Sequence, residues 1–413
     1  MRRISIAAAQ IRIIIFSGCG GKPAMNKHRM NKELSRFAAR LRETIHGRDA
    51  ALRRPDSAAR RPYQESEFNF LALELFALHF ANNPAYRKIC EARGLTPAVV
   101  EHWTQIPAVP TSAFKELELS CIPPEERTVV FHSSGTTEQR PSRHFHNAES
   151  LAVYEASLWS WFGQNVLTDL RFTIYDLRLL CLTPSPAEAP HSSLVHMFET
   201  VRKNLGGARV PASRAEFFGE LAPDGTWTLD FAAALAAINS SIVNRQSSIV
   251  LGTAFSFVHL LDFLAEENLR VELPAGSRVM ETGGYKNRSR SMPKAELHAL
   301  ITERLGIPAE NIICEYGMSE LSSQVYGREV GSQKSEVRSY RFPPWARAQI
   351  VSPETGHEVA DGETGLIRVF DLANVYSVAA IQTEDLGVRR ADGFELIGRA
   401  QMAEPRGCSL MTA

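Results

Sequence analysis

The chain lacks most of what marks a specialised protein class. Its six cysteines in 413 residues, Cys19, Cys90, Cys121, Cys181, Cys314 and Cys408, lie far apart. There is no C-x-x-C pair, and no histidine cluster stands at zinc-ligand spacing. These absences exclude a disulfide scaffold and a zinc finger and point to a reducing cytoplasm. No apolar run is long enough to span a bilayer, so stable membrane insertion is not expected. A Walker loop, G-x-x-x-x-G-K-[ST], is missing, as are internal repeats and low-complexity tracts. No basic–aromatic interleaving or nucleic-acid-binding motif occurs, and no nucleic-acid partner is expected.

What is present is an ordinary globular composition, 44% hydrophobic and 22% charged, with length enough to bury a large core. Lys and Arg balance Asp and Glu at 46 each, but not evenly along the chain. Residues 1–62 hold 15 basic side chains against 4 acidic ones, which reads as a solvated leader. Met1-Arg2-Arg3 and the apolar stretch ending at Cys19 imitate a lipoprotein signal, yet Gln10 and Arg12 interrupt it. Residues 1–30 are expected to be a disordered basic leader, with Met25 or Met30 as the true start.

From Asn31 to Arg48, apolar residues at helical spacing (Leu34, Phe37, Ala38, Leu41, Ile45) predict an amphipathic helix, and Phe68 to Phe80 predicts a second, closed by Asn82-Asn83-Pro84. Short β-type runs at 128–132, 179–183, 248–251, 278–281 and 312–315 then alternate with helical segments near 147–163, 192–205, 230–240, 255–267 and 293–305. Such alternation predicts an α/β fold with crossover units and largely parallel layered sheets. After about Pro343 the texture changes to short strands and polar turns, at 348–352, 365–370, 378–382 and 393–397. The expected division is an α/β core over 31–345 and a small β subdomain with a C-terminal tail over 346–413.

Val129-Val130-Phe131 has the look of a buried strand and runs into Ser133-Ser134-Gly135-Thr136-Thr137. Four hydroxyls and successive backbone N–H groups in such a turn can face one anion. Two further motifs follow in order: Glu315-Tyr316-Gly317-Met318-Ser319-Glu320 after a strand, then Thr383-Glu384-Asp385-Leu386-Gly387 ahead of Gly393-Phe394 and Gly398-Arg399. On these three the sequence resembles the adenylate-forming superfamily of acyl-CoA synthetases and adenylation domains. Within it the chain is most similar to the LuxE-type acyl-protein synthetases. Supporting runs are Ile106 to Lys115, Leu251 to Phe255, Glu281-Thr282-Gly283-Gly284-Tyr285-Lys286 and Arg406 to Leu410, so the likeness extends from about Phe68 to the C-terminus.

The resemblance implies an adenylate-forming α/β large domain and ATP-dependent activation of a carboxylic, fatty-type acid, with ATP and Mg2+ as cofactors. Ser133, Ser134, Gly135, Thr136 and Thr137 would cradle the β- and γ-phosphates. Glu320 would hold Mg2+, Ser319 would bond the α-phosphate, and Tyr316, beside Gly317, would stack on adenine. Gly283, Gly284 and Tyr285 would line the adenine pocket, Asp385 would take the ribose hydroxyls, and Arg399 would lie near the adenylate. Relatives carry a lysine after the phosphate loop; here Arg143 or Arg140 is expected to supply the cation, although a forked guanidinium is not equivalent to an ammonium. Most relatives also continue after the Gly-Arg pair into a lid domain with a catalytic lysine, whereas this sequence stops 14 residues after Arg399. The implied acyl acceptor is Cys408, passing the group to a partner reductase or carrier protein. A phenylacetate-CoA-ligase-like enzyme with a lid supplied elsewhere is the alternative. Phe255, Phe257, Leu260 and Leu261 fit an acyl pocket, but their helical spacing favours core, as does the strand position of Cys314.

Overall fold

The computed structural model describes residues 27–52, 64–133, 140–167, 177–206, 215–222, 226–284, 289–329, 338–391 and 393–400. Most of the expected leader therefore lies outside the described residues; 27–30 open the first helix.

That helix, α1 (Lys27–Leu52), buries the predicted apolar stripe Leu34, Phe37, Ala38, Leu41 and Ile45. Helix α2 (Glu65–Asn82) ends where predicted. The same Asn83 then caps the next helix, its Oδ1 accepting from Tyr86 N at 3.0 Å, with Pro84 in the first turn of α3 (Pro84–Ala92). After β1 (Val109–Pro110) and the single-turn α4 (Ala113–Glu116) come β2 (Val129–His132) and β3 (Arg143–His146). Asn147 and Ser150 form a capping box at the start of α5 (Ala148–Val166). The chain continues through β4 (Arg178–Cys181), α6 (Ser193–Gly206), β5 (Ala215–Phe217), β6 (Gly219–Leu221), β7 (Trp227–Leu229), α7 (Phe231–Val243), β8 (Ser248–Thr253), α8 (Ala254–Glu266), β9 (Arg278–Thr282), α9 (Lys294–Leu305) and β10 (Ile312–Tyr316). It closes with β11 (Val325–Glu329), β12 (Arg338–Arg341), β13 (Ala346–Val351), β14 (Thr364–Asp371), β15 (Ala380–Arg390) and β16 (Gly393–Arg399).

Among the described residues one sheet runs β13-β14-β15-β16-β12-β11-β10-β9-β8-β4-β5, with β1 alongside β15. Strands β5, β4, β8, β9 and β10 are parallel neighbours. The three central ones, β8, β9 and β10, are buried at every position, as a sheet covered on both faces requires. From β10 onward the neighbours in that order are antiparallel. The expected boundary at 345/346 falls between β12 and β13, and the sheet crosses it through the pair Tyr340↔Phe394.

One expectation fails. Residues 129–132 do not join the parallel sheet; β2 and β3 form a separate antiparallel hairpin, from Val129↔His146 to His132↔Arg143. The ten residues between them, 133–142, are too few for a helical crossover. Only Phe131 of the Val129–Phe131 run is fully buried. No helix among the described residues is long and apolar enough to cross a membrane.

Phe257, Leu260 and Leu261 lie in the core that packs α7, α8 and α9 on the parallel strands, and Phe255, also buried, sets its ring against Trp227 and His259. The core on the antiparallel side centres on Trp345, which has no exposed surface and whose Nε1 donates to Ser157 Oγ at 2.8 Å. Replacing Trp345 by Ala should cost about 3–5 kcal/mol of unfolding free energy, read as a lowered urea midpoint; a loss below about 1 kcal/mol would contradict this packing.

Candidate active site

Strand β10 ends at Tyr316, and the chain turns through residues 317–324 before returning antiparallel as β11. A Cβ at Gly317 would press on Glu315 Oε1, so any other residue there obliges that carboxyl to shift. Tyr316 is buried with its ring edge-on to Phe394, and its hydroxyl donates to Asp385 Oδ2 at 2.9 Å. Asp385 lies on β15 opposite Arg399 on β16. Burial holds the Asp385 carboxyl above its usual range, against the Tyr316 hydrogen bond and the Arg399 charge. Arg399 itself is 72% exposed and donates to Glu384 Oε2 at 2.6 Å. The sequence expectation placed Tyr316 on an adenine face; here its ring meets Phe394 and its hydroxyl is engaged by Asp385.

A second chain of contacts joins the β2–β3 hairpin to the same turn. Ser133 and Ser142 close the loop end of the hairpin, with Ser133 N donating to Ser142 O at 3.3 Å and Ser142 N to Ser133 Oγ at 3.0 Å. Ser142 Oγ lies 3.4 Å from Ser319 Oγ, which donates to Glu320 Oε2 at 3.1 Å. His144 Nδ1 donates to the Ser319 carbonyl at 2.7 Å, and burial pushes that imidazole down to about 4, so it is neutral at physiological pH. Glu320 is 4% exposed. Its carboxyl is held above the usual range by burial, opposed by hydrogen bonds from Ser142 and Ser319 and by the charge of Lys115 on α4. Arg143, the expected phosphate-loop cation, has its guanidinium 3.6 Å from Glu118 Oε1.

Ser134, Gly135, Thr136, Thr137, Tyr285 and Cys408 lie outside the described residues. Gly283 adopts φ +69°, and neither it nor Gly284 would meet an atom of the described residues within 4 Å if given a Cβ. Among the described residues the space beside this turn, just past the end of β9, is open. The structure thus links Ser133, through Ser142, to Ser319 and Glu320 within the turn, and joins Tyr316, at its start, to Asp385 opposite Arg399.

Sequence reasoning missed the residues that hold this turn. Asp371, with no exposed surface, accepts from Ser322 N at 3.0 Å, Ser323 Oγ at 2.8 Å and Ala373 N at 2.9 Å. Asn374 Nδ2 donates to Glu320 O and to Val378 O, both at 2.9 Å. Ser142, His144 and Lys115 also went unassigned, although Lys115 ends a run noted for its likeness to a family. Glu315, named only as part of its motif, accepts from Thr282 Oγ1 and is pushed up to about 7, chiefly by burial.

The acyl-protein synthetase family, LuxE, matches residues 58–413. The chain is 25% identical over 357 residues to the long-chain-fatty-acid–luciferin-component ligase of Aliivibrio fischeri, covering 83% of this chain and 87% of that one. The Vibrio harveyi ligase of the same name is 25% identical over 345 residues, covering 81% and 84%. Among solved structures, 2-hydroxyisobutyryl-CoA ligase in an open conformation superposes with a TM-score of 0.57 at 16% identity, covering 84% of this chain and 74% of its own. That likeness establishes the fold of an adenylate-forming ligase.

Glu315 makes stability depend on pH. Its folded value of about 7 lies above the ordinary 4.5, so the stability it contributes is full below pH 4.5 and is lost as pH rises through 7. Relative to Glu315→Gln, the parent chain should lose on the order of 3 kcal/mol across that window. Urea midpoints measured for both chains at several pH values give the difference; a difference that stays constant with pH would refute it.

Proposed function

The chain belongs to the LuxE acyl-protein synthetase family, and from that premise we propose that it activates a long-chain fatty acid with ATP and passes the acyl group to Cys408. The observation that carries the reading is the double linkage of one turn, Tyr316 to Asp385 on one side and Glu320 through Ser319 and Ser142 to the phosphate-loop hairpin on the other. Three segments far apart in sequence meet at this turn, which supports a nucleotide reading in which the sugar faces Asp385 and the phosphates face Ser133.

The donor set fits magnesium. Glu320 and its neighbours Ser142 and Ser319 offer hard oxygens, and a buried carboxylate that resists ionisation alone is compensated by a divalent cation. When bound, Mg2+ neutralises charge on the phosphate oxygens. Ser133 and the loop after it orient those phosphates, Asp385 accepts from the ribose, and the open Gly283–Gly284 turn admits the base. Lys115 and Arg143 supply positive charge on the phosphate side.

In the first step a carboxylate oxygen of the acid attacks the α-phosphorus, the bond to the bridging oxygen breaks, and pyrophosphate leaves. No protein base is needed, because the nucleophile is already ionised; alignment and charge stabilisation set the rate. In the second, the Cys408 thiolate attacks the acyl carbonyl and AMP leaves with the C–O bonding electrons. Arg406 nearby favours the thiolate. The thioester then goes to a thiol of a reductase or carrier partner. The four buried cysteines Cys90, Cys121, Cys181 and Cys314, none of them in a disulfide among the described residues, support a reducing, cytoplasmic setting.

Two substitutions separate the steps. Glu320→Gln should lower acid-dependent ATP–pyrophosphate exchange by about 100-fold or more, a loss near 3 kcal/mol of transition-state stabilisation. Cys408→Ala should leave exchange within about twofold of the parent while abolishing covalent labelling by radioactive fatty acid. Full labelling of the alanine variant would remove Cys408 from the pathway, and thioester formation on free coenzyme A by the parent chain would redirect the reading to a CoA ligase.

A further inference from the structure

Beneath the Gly283–Gly284 turn lies a polar cluster that the proposed chemistry does not use. Glu281 on β9 and Cys314 on β10 are register partners in the parallel sheet, so their side chains leave the same face side by side. Helix α9 covers that face and presents Lys294 and His298, four residues apart on one side of the helix. Cys314 Sγ donates to Glu281 Oε1 at 2.8 Å, His298 Nε2 lies 3.4 Å from the same oxygen, and Sγ and Nε2 are 3.9 Å apart. Glu281 and Cys314 have no exposed surface and His298 is 4% exposed. One atom from each of the three lies within 4.8 Å of the others.

We propose that Glu281, His298 and Cys314 form a buried site for a zinc-class divalent cation, which clamps β9, β10 and α9 together under the glycine turn. The chemistry of the donors is that of zinc: one thiolate, one imidazole and one carboxylate. Bonds of 2.0–2.3 Å at tetrahedral angles put such ligands about 3.3–3.6 Å apart. The nitrogen–oxygen separation is already in that range, the sulfur–nitrogen separation is slightly longer, and the sulfur–oxygen contact has to open by less than about 1 Å.

A second observation points the same way. Glu281 Oε2 is buried and has no hydrogen-bond partner among the described residues, which is costly for a carboxylate oxygen unless a ligand takes it. Chelation through both carboxylate oxygens satisfies it as a further donor, at the narrow bite of a carboxylate rather than at a tetrahedral vertex. Binding forms the metal–sulfur bond as the Cys314 thiol loses its proton to water, while neutral His298 gives a ring-nitrogen lone pair; no electron is transferred. Lys294, now 2.9 Å from Glu281 Oε1 but with a side chain 39% exposed, turns toward solvent. The metal then takes over its role as counter-charge to Glu281.

The sequence concealed this set because its members stand 17 and 16 residues apart, unlike the close pairs of a zinc finger. The site is closed, so its role is to fix the turn rather than to activate water.

The test is metal analysis of the full chain, purified without a histidine tag, incubated with zinc and dialysed. About one zinc per chain is expected in the parent and in Cys408→Ala, with at least a tenfold loss of affinity in Cys314→Ser and His298→Gln. Should those variants fail to fold, zinc-edge X-ray absorption of the parent decides: one sulfur with nitrogen and oxygen scatterers supports the site. A parent retaining less than about a tenth of an equivalent, zinc held undiminished by folded Cys314→Ser, or a shell without sulfur would each overturn the proposal.

Discussion

Asp371 is the constraint on which the candidate site depends. A carboxylate with no contact to water is tolerated only when its lone pairs are taken, and those of Asp371 are taken by two backbone N–H groups and a hydroxyl. Two of the donors, Ser322 and Ser323, lie two and three residues after Glu320, so the end of β14 fixes the turn that leaves β10. Ser323 Oγ also lies 3.1 Å from Ser157 Oγ, which accepts from Trp345 Nε1. One line of polar contacts thereby runs from the long helix α5 through the turn to the antiparallel half of the sheet. Burial raises Asp371 to about 6, which shows that the surrounding hydrogen bonds only partly offset its desolvation.

The same tension recurs around the turn. Glu315, Glu320 and Asp385 are all held above their ordinary range by burial, whereas Glu281 is held at about 2. Burial alone would push Glu281 upward, but the Lys294 charge and the His298 and Cys314 hydrogen bonds outweigh it. Carboxylates gather at the carboxyl ends of β9 and β10 and on β15, where the charges of Lys115 and Arg399 act on Glu320 and Asp385, while Lys294 pairs with Glu281 one layer below. Carboxyl groups held away from their ordinary range by burial mark a candidate binding site more than a core built for stability alone.

Much of the fold was legible because its signals are local. Helix α1 carries its stripe at the spacing of one turn, and the central parallel strands read as short apolar runs between helical segments. The turn after β10 was legible too, as a motif of six consecutive residues. The hairpin of β2 and β3 was not: a four-residue apolar strand looks the same whether its partner is parallel or antiparallel, and the partner, Arg143–His146, carries too many polar side chains to be read as a strand. Ser142, His144, Asp371 and Asn374 gave no signal, since each acts on residues tens to hundreds of positions away.

The sequence by itself determined the class of the protein, its three ordered motifs at Ser133–Thr137, Glu315–Glu320 and Thr383–Arg399, and the resemblance that their joint order supports. Such motifs are contiguous, and their chemistry needs neighbouring residues. Only the tertiary structure decided which side chains from β3, β14 and β15 reach the turn, that Arg143 lies beside Glu118, and that Glu281, His298 and Cys314 share one buried spot. Those facts depend on strand register and on which helix covers which face, and both are set by packing across the whole sheet.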